Sequence, residues 1–145
     1  MHFQRFYLTC GALFALLLSG CGTTPTPIGQ ATVVPTERVA LKPVVSSSNP
    51  ATVTLIRDTG LQGVEHVFEF WINGQQIVEL EAGEKFALPI EPGSVILEVR
   101  MFNVLGKIAP AQVETIFAPG GSYVYRAGID STLRLHLTRD VQLSK

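Results

Sequence analysis

Thiols, charge and long apolar runs are all scarce in this chain. Of its 145 residues only two are cysteines, Cys10 and Cys21. Both lie near the N-terminus, so no disulfide can staple the rest of the chain, and its stability must come from packing. No stretch reaches the ~20 apolar residues that a membrane-spanning helix needs. Charged residues make up 16% of the chain and the net charge is −1. A balance so close to neutral excludes the basic surface on which nucleic-acid binders depend. Metal-site spacings such as C-x-x-C, H-x-x-x-H or an Asp-rich loop do not occur. There is no G-x-S-x-G elbow to present a serine nucleophile. Gly120-Gly121 precedes no helical pattern, so a phosphate cradle would have no helix dipole behind it. His66 and His136 read as solvated surface histidines. Glu79, Glu81 and Glu84 surround a turn. Paired carboxylates can hydrolyse glycosides when held at the right separation, but a solvated acidic turn accounts for these three. The expectation is a protein without catalytic residues, metal or cofactor.

What is present begins with an export pattern. Arg5 is the sole charged residue before Cys21, and Phe6 to Leu18 is an almost unbroken apolar run of about 13 residues. That is the length of the apolar core of a signal peptide. The run ends Leu18-Ser19-Gly20-Cys21, which resembles the lipobox of bacterial lipoproteins. The resemblance implies that residues 1–20 are a signal peptide, removed between Gly20 and Cys21. It implies that the Cys21 sulfur carries a diacylglycerol and that its new amino group takes a further acyl chain such as palmitate. Each buried methylene contributes roughly 0.8 kcal/mol, and two or more chains hold a protein on a membrane where one does not. In lipoproteins of Gram-negative bacteria, Asp after the cysteine favours the inner membrane. Gly22 stands there instead, which points to the periplasmic side of the outer membrane.

Residues 21–50 have another texture. Pro25, Pro27, Pro35, Pro43 and Pro50 are interspersed with Thr23, Thr24, Thr26 and Ser46-Ser47-Ser48. Such composition favours extended, solvated backbone, so the stretch reads as a tether reaching from ~30 Å as a coil to ~90 Å fully extended. Within it, Glu37 to Lys42 alternates weakly and could add an edge strand.

Residues 51–145 read as one β domain. Thr52 to Arg57 is rich in β-branched residues. From His66 to Ile72, Phe68, Phe70 and Ile72 fall on one face and Val67, Glu69 and Trp71 on the other. Asn73-Gly74 is a two-residue hairpin signal, because both positions want positive φ. Further strands are expected over Gln75–Leu80, Lys85–Ile90, Ser94–Phe102, Gln112–Phe117, Tyr123–Arg126 and Leu133–Leu137, with turns at Ala82-Gly83, Pro92-Gly93 and Pro119-Gly120-Gly121. Val95, Leu97, Val99 and Met101 form the clearest apolar face, and Ile96 and Phe102 suggest cover on the other side as well. No window after Cys21 has helical periodicity. About 7–9 short strands at hairpin spacing argue an all-β, antiparallel, Ig-like β-sandwich.

The run W-I-N-G-Q-Q-I-V-E-L followed by F-A-L-P-I-E-P-G-S-V-I-L-E-V-R resembles PEGA-like domains. With the later Gly121-Ser122-Tyr123-Val124-Tyr125, it is similar to a family of small bacterial lipoproteins whose domain has no assigned function. The Gly-x-Thr-Pro step of PEGA repeats is missing, and the resemblance carries over no catalytic residue. Trp71 is expected outside the core, or in a second layer. With Tyr123 and Tyr125 it is the candidate binding surface. The leading expectation is therefore a lipid-anchored envelope protein that contacts a protein partner. The alternative is a glycan- or peptidoglycan-binding module. The lipobox has a direct consequence: Cys21→Ser should leave the precursor uncleaved and remove its sedimentation with lipid on cell fractionation. Unchanged processing and sedimentation would contradict lipidation at Cys21.

Overall fold

The computed structural model describes residues 23–60, 65–103 and 106–141. The signal, the cleavage flank Leu18 to Gly20 and Cys21 lie outside the described residues. Among the described residues there is no α-helix, and no helix long and apolar enough to cross a membrane.

Two sheets pack face to face. The first has the order β10-β8-β5-β6, built from β5 (Phe68–Ile72), β6 (Gln75–Leu80), β8 (Gly93–Asn103) and β10 (Ala111–Phe117), with the short β9 (Gly106–Lys107) folded back on β8. The second has the order β12-β11-β3-β7-β2, built from β2 (Thr32–Val33), β3 (Ala51–Arg57), β7 (Glu84–Ile90), β11 (Ser122–Ile129) and β12 (Leu135–Asp140). A further two-residue pair joins β1 (Thr23–Thr24) to β4 (Thr59–Gly60). The expected sandwich is present, with one difference in pairing. β3 runs parallel to β11, and β2 runs parallel to β7. A parallel neighbour requires a long crossover, and here the whole of the first sheet lies between β3 and β11 in the chain.

The strands follow their alternation. Phe68, Phe70 and Ile72 are buried, as are Val95, Leu97, Val99 and Met101, facing Val53, Leu55, Tyr125, Ala127 and Ile129 of the other sheet. Asn73 and Gly74 have φ of 47° and 78°, the pair of positive values that a tight hairpin twist demands. The β5–β6 register shifts between Phe70 and Trp71, and the irregularity lets Ile77 and Val78, adjacent in sequence, both enter the core. Ile96 is not covered: it is 42% exposed on the outer face. The last strand begins at Leu135, later than the alternation from Leu133 suggests, and runs to Asp140. Leu133 instead takes a left-handed turn conformation, φ 62°.

The largest departure concerns the tether. Residues 23–50 are laid across the domain and do not hang free of it. β1 pairs with β4, and the next residues cross the outer face of the second sheet. Thr26 is buried there; its N–H donates to Asp58 Oδ1 at 2.9 Å, and Thr59 N–H donates to Thr26 Oγ1 at 3.1 Å. Arg126 clamps the crossing from beneath. Its Nη1 donates to the Thr26 carbonyl at 2.6 Å and to Asp58 Oδ1 at 2.9 Å, and its Nε donates to Asp140 Oδ2 at 2.7 Å. Burial opposes the Arg126 charge, but the Asp140 and Asp58 carboxylates outweigh it and raise its pKa. Lys85 donates to the Ile28 carbonyl at 2.7 Å. A turn at Pro27 to Gln30 then feeds β2, with Ala31 and Val34 buried.

The strap next crosses to the other sheet. Glu37 to Lys42 forms no regular edge strand. Thr36–Arg38 is a single 3-10 turn, Val39 makes one antiparallel bridge to Val78, and Ala40 N–H donates to the Ile77 carbonyl at 2.8 Å. The acidic turn is not wholly solvated. The Glu84 side chain is largely buried, holds the Arg38 guanidinium and accepts from Glu81 N–H at 2.7 Å, while Glu81 lies 3.3 Å from Arg38. Composition misled here because proline and threonine report poor self-burial. They do not report whether a neighbouring sheet offers partners.

Removing Arg126 strips partners from the buried Asp58 carboxylate and the Thr26 carbonyl together. A buried acceptor left unpaired costs about 1–3 kcal/mol. Arg126→Ala should therefore lower the unfolding free energy by that order, read as a lower urea midpoint at unchanged slope, and an unchanged midpoint would contradict the clamp.

Candidate functional site

The outer face of the first sheet is the one regular surface on which the expected Trp71 appears. Strand parity puts Glu69 and Trp71 of β5 outward, beside Glu98 and Arg100 of β8 through the pairs Trp71↔Glu98 and Glu69↔Arg100. Ile96 and Glu114 are opposite each other, as are Ser94 and Ile116. Ile96 and Ile116 are thus diagonal neighbours, close enough to form one apolar spot. Ile116 is 73% exposed. Glu98 and Glu114 flank them, Ser94 donating to Glu114 at 3.0 Å; Glu69 and Glu79 stand farther along the sheet, with Gln76 donating to Glu79 at 2.9 Å.

Trp71 is half-buried and already engaged. Its indole N–H donates to Glu69 Oε2 at 3.0 Å. The Arg100 guanidinium lies 3.7 Å from the centre of its ring, a stacking contact of the cation–π kind. Arg100 is held in that position by Glu98, to which its Nε donates at 2.5 Å, and this hydrogen bond raises the Arg100 pKa. One ring face is therefore covered by a cation that is itself fixed.

The two tyrosines are elsewhere. Tyr125 is a core residue, 1% exposed, whose hydroxyl donates to Thr115 Oγ1 at 2.7 Å. Tyr123 belongs to the second sheet. Its hydroxyl accepts from Ala118 N–H at 2.8 Å, its ring centre is 4.7 Å from that of Phe117, and Arg139 stacks on it at 4.7 Å. The structure does not bring Trp71, Tyr123 and Tyr125 to one surface. Reading three aromatics as one patch fails because alternation fixes faces within a strand but not which sheet a strand joins.

No family model matches this chain, and no curated protein matches it. Among solved structures it is similar to a protein from Eubacterium rectale determined by NMR, with TM-score 0.44 and 14% identity, covering 71% of this chain and all of the other. A likeness at that level says nothing of the site.

Groups able to do chemistry are dispersed. Among the described residues no cluster of three or more His, Cys, Asp or Glu is placed to hold a metal ion. The His66 carbonyl accepts from Arg57, a fully buried guanidinium that also donates to the Leu80 carbonyl at 3.0 Å and lies 4.1 Å over the Phe68 ring. Burial pushes the Arg57 pKa down to about 10, so it remains charged at neutral pH. Sequence reasoning passed over Arg57 and Arg126; their only signal was a cation at the end of, or within, an apolar β run.

Trp71 is the single tryptophan of the chain, so its cover can be read directly. Arg100→Ala should shift its emission to longer wavelength and increase acrylamide quenching, with stability changed by about 1 kcal/mol or less. An unchanged spectrum would show that the guanidinium does not cover the ring in solution.

Proposed function

We propose that this protein is a non-catalytic, lipid-anchored component of the bacterial envelope, held on the periplasmic side of the outer membrane through acyl chains on Cys21, and that the outer face of its first sheet contacts a protein partner. The observation that carries the partner reading is the apolar spot of Ile96 and Ile116 on a rigid, acid-rimmed sheet beside Trp71. An apolar centre with a polar border is the arrangement of protein-binding patches. The border is acidic, so the complementary surface should present basic groups around an apolar centre. A glycan- or peptidoglycan-binding role ranks behind it. Sugar rings need a free aromatic face, and one face of Trp71 is taken by Arg100.

The test is crosslinking in intact cells. A photo-reactive residue at Ile116 should give one discrete heavier species, and Ile96→Glu should abolish it. The same probe at Val33, which is 68% exposed on β2 at the edge of the second sheet, should not give it. Recovery of only the monomer from Ile116, or equal capture from both positions, would overturn the reading.

A further inference from the structure

The strap fixes where the chain leaves the domain. Thr23, its first described residue, pairs with Gly60 and lies over Gly128: a Cβ added at Gly128 would come within 2.6 Å of the Thr23 hydroxyl and 2.7 Å of the His136 ring. Gly128 and His136 are paired one rung below the last rung of the β11–β12 hairpin, Ile129↔Leu135. Cys21 is separated from Thr23 only by Gly22. Two residues span at most ~7 Å, so a lipid carried on Cys21 would be tied to Thr23 by a leash no longer than that. The tip of the same hairpin carries Leu133, 59% exposed, with Arg134 exposed beside it.

The tip is also rigid. The Asp130 carboxylate accepts from Thr132 N–H at 2.8 Å, the Thr132 hydroxyl at 2.7 Å and Arg134 N–H at 3.0 Å. These bonds keep its carboxyl below the usual range. Leu133 is held at φ 62°, where a glycine would fit without strain. A large apolar side chain is thus displayed at a position that opposes it sterically, at the end of the sandwich toward which Thr23 points.

We propose that the β11–β12 tip is a membrane-contact site: Leu133 enters the boundary between head groups and acyl chains of a phospholipid surface, and Arg134 meets lipid phosphate. The proposal rests on the lipid-anchor reading, and it replaces a domain swinging on a long tether with one seated on its membrane in a fixed orientation. The tip need not bind lipid unaided. With a lipid on the short leash before Thr23, contact of the tip with the surface would be intramolecular, which lowers the affinity that the tip itself must supply.

The acylated protein should be placed in vesicles of phosphatidylethanolamine and phosphatidylglycerol carrying brominated acyl chains. Leu133→Cys is labelled with a fluorophore in one sample and Ile116→Cys in another. Flotation with several-fold stronger quenching at 133 than at 116 is expected. Flotation with equal quenching at the two positions overturns this proposal alone, leaving the anchor intact. Failure of the protein to float overturns both. Leu133→Gly separates display from folding: it should raise the melting temperature while making the tip more accessible to protease on vesicles. A fall in melting temperature would show that Leu133 serves the fold, and would overturn its assignment to lipid.

Discussion

The guanidinium of Arg126 ties together three parts of the chain that are remote in sequence. Its partners are the Thr26 carbonyl, Asp58 after β3 and Asp140 at the end of β12. The cation is desolvated on the face of a sheet, so each acceptor it satisfies matters more than at an open surface. Asp58 serves twice, taking the Arg126 Nη1 and the Thr26 N–H on one oxygen. The strap and the sheet under it therefore share one charge pair, and loosening either exposes the other.

This junction decides the use of the remaining surface. The strap covers part of the outer face of the second sheet, then closes one open side of the sandwich through Val34, Arg38 and Val39. Among the described residues no segment is laid across the outer face of the first sheet in this way; Ile96 and Ile116 are exposed there and Trp71 lies beneath Arg100. One sheet is thus occupied by the protein's own N-terminal segment, and the other is the face that we propose for a partner. The same docking sets Thr23 against Gly128 of the β11–β12 hairpin, so the proposed membrane contact and the proposed partner face belong to one domain.

The local rules of the chain were legible in advance. Asn73-Gly74 needs two positive φ values and has them. The alternations through Phe68, Phe70 and Ile72, and through Val95 to Met101, put the stated side chains in the core. Legibility ended where partners are distant. Nothing local to Thr26 announces Asp58, nor anything local to Arg38 its Glu84, and a segment rich in proline looks free until the surface that receives it is known. Tyr125 shows the same limit: its parity was readable, but that its face points inward depends on the opposite sheet. Leu133 was missed for another reason. Its alternation with Leu135 and Leu137 is regular, yet the Asp130 carboxylate organises a turn that takes precedence over the pattern.

The central claim is that residues 23–41 are part of the fold. Hydrogen exchange of the protein tests it most directly. Thr26, Thr32 and Val34 N–H groups donate to Asp58, Gly83 and Lys85. They should exchange as slowly as a substantial fraction of the core amides, at rates set by opening of the domain. Exchange of these three at the rate of an unstructured peptide, with the core still protected, would contradict the account.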